Sequence, residues 1–120
     1  MATTITNAAL ESAIADAIVT ALGANCKLKH YTSGDALLAS HTTGTAAKNT
    51  ATDPDSVGIT GLTDETNATA GTVGYSILTT SADAEIIRFS DPVNDIGLSS
   101  ATLTSGQTVS VTSFVLSVPA

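Results

Sequence analysis

Two histidines and one cysteine are the side chains here best suited to metal or proton chemistry, and their spacing serves neither well. Cys26 and His30 stand four residues apart, which in an extended strand puts both on one face. His41 is the other histidine. A tetrahedral zinc site needs three or four ligands from Cys, His and carboxylates, commonly in close pairs. No such pair accompanies these three. The simpler reading is a half-buried cysteine and a histidine along an ordinary strand face. Asp53-Pro54-Asp55 has the start of a calcium loop, but Ser56, Val57 and Gly58 add no carboxylate and no bidentate glutamate follows. It reads as a proline-braced turn. No metal and no cofactor is expected.

Nucleophilic catalysis is no better supported. There is no G-x-S-x-G elbow, and 13 serines beside two histidines make chance Ser/His/Asp proximity easy. The phosphate-cradling sequences G-x-x-x-x-G-K-[ST] and G-x-G-x-x-G are both missing. Eleven acids leave room for a carboxylate pair of the glycosidase type. Sugar sites of that type usually stack the ring on aromatics, and the chain has two Phe, two Tyr and no Trp. Asn67-Ala68-Thr69 matches a glycosylation acceptor, which means little without a secretory signal. The expectation is a protein that is not an enzyme. Four basic residues and a net charge of −7 also argue against neutralising a nucleic-acid backbone or docking on an anionic membrane.

The elements that would position any site fall into two kinds. Between Asn7 and Leu22 the apolar residues Leu10, Ala13, Ile14, Ala17, Ile18, Ala21 and Leu22 recur at intervals of three and one. That is the period of an amphipathic helix, with Glu11, Ser12, Asp16 and Thr20 opposite. Thr6 or Asn7 suits its start and Gly23 its end. After Ala24 short β-type runs at 26–32, 36–40, 56–63, 72–80, 84–90, 96–103 and 107–118 alternate with turn-formers, and no second helical period follows. Residues 44–55 carry almost no large apolar side chain and read as an extended loop. In the last run Val109 and Val111 share one face while Phe114, Leu116 and Val118 share the other, so a bulge or a change of sheet is expected near Thr112-Ser113. The pattern predicts a mainly β chain: an antiparallel β-sandwich with one N-terminal amphipathic α-helix. Its 120 residues suit a single domain, with arm and helix over 1–25 and the β part over 26–120. No stretch is apolar enough for a membrane span or a leader, and one cysteine makes no internal staple. Synthesis in a cytoplasm is expected.

Surface composition is more informative than any motif. Thr, Ser, Ala and Gly fill 62 of the 120 positions and only 12% of residues are charged, which favours smooth, uncharged contacts. Interface centres are depleted in Lys, Glu and Asp, while a charge of −7 keeps a free subunit in solution. The opening Met-Ala-Thr-Thr-Ile-Thr-Asn before an Ala-rich helix resembles small structural proteins of tailed bacteriophages. So do Lys27-Leu28-Lys29-His30-Tyr31-Thr32-Ser33-Gly34, Ala70-Gly71-Thr72-Val73-Gly74-Tyr75-Ser76-Ile77 and the closing stretch Leu103-Thr104-Ser105-Gly106-Gln107-Thr108-Val109-Ser110-Val111-Thr112-Ser113-Phe114. Segments 44–55 and 84–96 carry none of the likeness.

The resemblance implies a virion protein on the capsid exterior, a decoration or cement protein with a β-sandwich or jelly-roll domain. Its partners would be the major capsid protein and itself, as homo-dimer or homo-trimer, and it brings no catalytic residues. Expected contact residues are the helix stripe (Leu10, Ile14, Ile18), the arm (Thr3, Thr4, Ile5) and the last strand (Phe114, Leu116). Two alternatives stand beside it. One is a tail, fibre or head–tail connector component. The other is a ligand- or carbohydrate-binding β-sandwich module, for which Tyr31 and Tyr75 are the only aromatic polar handles.

Overall fold

Helix α1 (Ala8–Leu22) forms where the three-and-one spacing places it. It stops at Gly23, whose φ of +66° is the left-handed value a side chain would resist and whose N–H returns to the Val19 carbonyl at 3.1 Å. The computed structural model describes residues 8–49, 56–111 and 113–117. Within α1, Ala15 and Leu22 are buried and Ile14, Ile18 and Val19 pack at the edge of the core. Lys48 ties the polar side of the helix to the sheet, reaching Asp16 Oδ1 and Ser12 Oγ at 3.0 Å each.

Eight strands follow: β1 (Ala24–Tyr31), β2 (Leu37–Asn49), β3 (Ser56–Thr60), β4 (Gly71–Thr72), β5 (Tyr75–Thr79), β6 (Glu85–Phe89), β7 (Thr102–Leu103) and β8 (Phe114–Ser117). Six form one sheet in the order β6-β5-β1-β2-β3-β8, every neighbour antiparallel. β4 and β7 make a separate two-stranded ribbon. The large sheet curls, since Phe89 on one edge strand and Phe114 on the other meet edge to face with centroids 5.7 Å apart. Its concave face carries Cys26, Leu28, Leu78, Val57 and Ile59, each fully buried. The ribbon and the coil around it add Leu62, Val73, Leu98, Leu103 and Val109 to the same apolar cluster. The chain is thus mainly β and antiparallel, with one helix longer than a turn among the described residues.

Three local readings need correction. Residues 44–49 are not loop: β2 runs on to Asn49, pairing with β1 through its first half and with β3 from Thr45 to Asn49. Ladder hydrogen bonds hold that half, so small side chains suffice. The bend is made at Thr43, with φ 60°, and at Gly44, where a Cβ would lie 2.7 Å from Cys26 Sγ. The run 72–80 is split into β4 and β5 at Gly74, whose backbone lies against Ser33 and donates to the Tyr31 carbonyl at 2.7 Å. The run 96–103 is mostly coil ending in β7, and one helical turn, α2 (Pro92–Asp95), precedes it. The predicted change of face in the last run is present. Val109 bridges to Glu65, whereas Phe114 and Leu116 pair with Ile59 and Val57 in the large sheet. Thr112 lies outside the described residues, as do 50–55.

Candidate functional site

An open, mainly apolar groove of about 720 Å³ lies between α1 and the two edges of the curled sheet. The helix supplies Ile14, Ala17, Ile18 and Ala21, the i, i+3, i+4, i+7 stripe of the sequence. The sheet supplies Ile86, Ile87 and Phe89 from β6 and Val115 and Leu116 from β8. Asn94 and Asp95 of α2 are its polar end. The curl brings β6 and β8 close enough for Phe89 and Phe114 to meet, with no ladder between the two strands among the described residues. The groove is the seam between them.

The two edges differ. β6 carries an extra residue, because Leu78 faces Ile87 and Thr79 faces Glu85, which leaves Ile86 unpaired across the step. Glu85 and Arg88 sit on it as an ion pair of 3.1 Å. A bulge and charges are devices that blunt an edge against further pairing. β8 has neither: Phe114-Val115-Leu116-Ser117 is uncharged, and Val115 is 56% exposed.

Of the expected contact residues, Ile14, Ile18 and Leu116 meet in this groove. Leu10 is 50% exposed one turn earlier on the helix and is not part of the lining. Phe114 points into the core against Phe89. Thr3, Thr4 and Ile5 lie outside the described residues. The β6 side of the groove was missed by sequence reasoning. Its signal is the adjacent pair Ile86-Ile87, which a regular alternating strand cannot place on one face but a bulged one can.

A second arrangement lies inside the core. His30 and His41, on neighbouring strands, are both wholly buried, with Nε2 facing Nε2 at 2.9 Å. His30 Nδ1 lies 2.6 Å from Ser76 Oγ, and His41 Nδ1 lies 2.8 Å from the Thr63 carbonyl oxygen. The carbonyl can only accept, so His41 carries its proton on Nδ1 and its neutral Nε2 accepts. His30 therefore donates from Nε2 and accepts at Nδ1 from the serine hydroxyl. One directed chain results: Ser76 to His30 to His41 to Thr63. Burial pushes His30 down to about 3, with the neighbouring His41 adding to the shift. Burial also lowers His41, against the raising effects of the Thr63 hydrogen bond and of Glu65 and Asp64. The order Ser–His–His resembles a nucleophile relay, but each member is wholly buried, so no reactant reaches Ser76 in this conformation. The chain is a satisfied polar pair of the core.

On the convex face Tyr31 and Tyr75 stack at 5.4 Å and 11°, and the Arg88 guanidinium lies 4.3 Å from the Tyr75 ring centre. Tyr75 donates to Asp35 Oδ1 at 2.6 Å, which raises its phenol above the usual value. Beside them Lys29 and Lys27 share Asp83 at 2.7 and 3.0 Å, and those bonds lower its carboxyl. Burial raises the Cys26 thiol. Among the described residues no group of three or more His, Cys, Asp or Glu is placed to hold a metal ion, and no helix is long and apolar enough to cross a membrane. No protein-family model, curated protein or solved structure matches the chain.

Proposed function

We propose that this chain is a non-enzymatic assembly protein, a decoration or cement protein bound to the outside of a tailed-bacteriophage capsid. The observation that carries the reading is the apolar groove beside the uncharged β8 edge. An open apolar groove lies beside an unblunted strand edge on a chain that otherwise carries a net charge of −7. Contiguous exposed apolar surface of this kind marks interaction sites. The resemblance of the opening, of 27–34 and of 103–114 to small phage structural proteins supplies the virion. On this reading the curled sheet and the β4–β7 ribbon are the two layers of a jelly-roll-like sandwich. The partners are the major capsid protein and further copies of the chain. Many equivalent, modest contacts then stiffen a shell that no single contact would.

The test is copy number, by quantitative mass spectrometry of purified particles scaled to the major coat protein. Hundreds of copies in a simple ratio to the coat protein are expected. A handful of copies moves the chain to the tail or connector, and complete absence ends the virion reading. The stacked Tyr31 and Tyr75 favour one other reading, a ligand-binding module on the convex face. Titration with oligosaccharides, read by tyrosine fluorescence, distinguishes it.

A further inference from the structure

We infer that the seam between β6 and β8 takes in one extended segment of a different protein, apolar and uncharged along its length and basic at the end that meets Asp95. That the chain has a partner at all rests on the assembly reading. The deciding titration needs only the isolated chain and synthetic peptides, so it can fail while the particle measurement stands.

The strand edge selects an extended segment. β8 pairs with β3 on one side, and no other described strand pairs with it on the second. Main-chain groups along that side want partners, and a strand laid beside them at a ladder spacing of about 4.8 Å supplies them. A helix keeps its hydrogen bonds to itself and would leave them unmet. β6 is the poorer edge, since it is bulged and carries Glu85 and Arg88. Side chains of the segment then lie against Ile14 and Ile18 of α1, Ile86 and Ile87 of β6 and Leu116 of β8. A charge placed among these would lose water without gaining a partner.

Charge selects the source. Asp95 stands at the polar end of the groove, and its Oδ2 accepts the Asp91 N–H at 3.2 Å, which keeps Asp91 beside it. Asn94 donates to Asp91 Oδ2 at 2.7 Å. Among the described residues no cation joins these two carboxylates, and no basic side chain lines the groove. A second copy cannot answer that charge. The four basic residues of the chain are Lys27, Lys29, Lys48 and Arg88. Each is already tied to an acid of its own chain: both Lys27 and Lys29 to Asp83, Lys48 to Asp16 and Arg88 to Glu85. A second copy also arrives with a net charge of −7, which repels the first. The complement of the Asp95 end is therefore a Lys or Arg on a different chain.

The experiment titrates the nitrogen-labelled full chain with capped peptides of about six residues. They alternate Val and Thr and carry one Lys, Gln or Glu, placed at the first or the last position. Amide shifts are expected at 114–117, Ile18 and Ile86. The better lysine peptide binds with a Kd of about 1 mM or tighter. At low salt it binds about fivefold tighter than its glutamine counterpart, and the glutamate peptide binds weakest. Added salt and Asp95→Asn each remove the lysine advantage and leave the glutamine peptide bound. N-methylation of alternate peptide amides abolishes binding in one register and spares it in the other. Val115→Lys, a change at an exposed side chain, abolishes association with all the peptides while the circular dichroism spectrum stays unchanged. Equal affinity for the lysine and glutamate peptides overturns the inference. So does no binding at about 1 mM, binding indifferent to both N-methylated registers, or shifts confined to the convex face. A wild type that sediments as a dimer, with the dimer lost in Val115→Lys, overturns it as well and assigns the seam to a second copy.

Discussion

Acid should unfold this protein through its buried histidine pair. One proton lies between the two Nε2 atoms, and both rings are neutral. A proton added to His41 Nε2 would set two donors against each other at 2.9 Å. A proton added to His30 Nδ1 would turn the Ser76 hydroxyl round and leave a charge in the core. The folded state therefore resists protonation that the unfolded chain accepts near 6.5. The sign follows: stability is unaffected above about pH 6.5 and falls as pH drops below it, until the folded value of about 3 is passed. The slope is roughly 1.4 kcal/mol per pH unit for each fully resisting group. At pH 4.5, two units below the unfolded value, His30 removes on the order of 3 kcal/mol. His41 acts in the same direction. Against a total of about 5–15 kcal/mol for a domain of this size, that is a large share. Asp83, whose carboxyl is lowered, loses its contribution only below its ordinary value of 3.8, outside this window. The assay is urea unfolding at pH 7.5, 6.5, 5.5 and 4.5, paired with nitrogen NMR of the imidazoles. The expected tautomers are Nε2–H on His30 and Nδ1–H on His41. A flat stability between pH 7.5 and 4.5, or a His30 that titrates near 6.5 in the folded protein, would refute the reasoning. The same pH slope in a folded His30→Leu/His41→Leu variant would refute it too.

Three further outcomes follow from the geometry. Gly44→Ala should destabilise by about 1–3 kcal/mol in chemical denaturation, because its Cβ falls 2.7 Å from Cys26 Sγ and 2.9 Å from Leu62 Cδ2. The Cys26 thiol, wholly buried and raised by desolvation, should react with a thiol reagent only at the rate of opening, so that labelling accelerates with urea. One tyrosine should ionise above the usual value of 10 in an ultraviolet titration and return toward it in Asp35→Ala, since the hydrogen bond to Asp35 is the main cause of the shift.

What could be read from the residues alone depended on whether side chains or backbone hold the element. Helix α1 was legible because its apolar spacing is the fold's own instruction, and β1, β3 and β6 were legible because large alternating residues meet the core. The second half of β2 was not. Thr45, Ala46, Ala47 and Lys48 are held by ladders, and a backbone ladder leaves no hydrophobic signature. That miss hid the histidine pair as well. With the strand ended at residue 40, His41 fell just beyond it, whereas the true strand continues through it and aims it at His30. The split of 72–80 turns on Gly74 touching Ser33, a contact 41 residues apart in sequence. The helix side of the groove was legible as an apolar stripe expected to make a contact, and Ile14 and Ile18 of that stripe line it. Its sheet side depends on a bulge in β6 and on the curl, which no local pattern encodes.

The two edges of the sheet show why the seam matters more than its size suggests. Natural sheets blunt exposed edges because an unpaired, apolar strand invites any extended chain. This chain applies that protection to β6, where Glu85, Arg88 and the extra Ile86 interrupt the edge. It withholds protection from β8, although one charge at Val115 would supply it without disturbing the core, since that side chain is more than half exposed. The protected edge also positions Ile86 and Ile87 as the far wall of the groove. The seam thus combines one unblunted strand edge, one apolar wall and the apolar stripe of α1. If β8 were only a frayed end of the sheet, Val115→Lys would raise solubility and change nothing else. Loss of association on that single exposed substitution is the behaviour of an edge kept open for a partner.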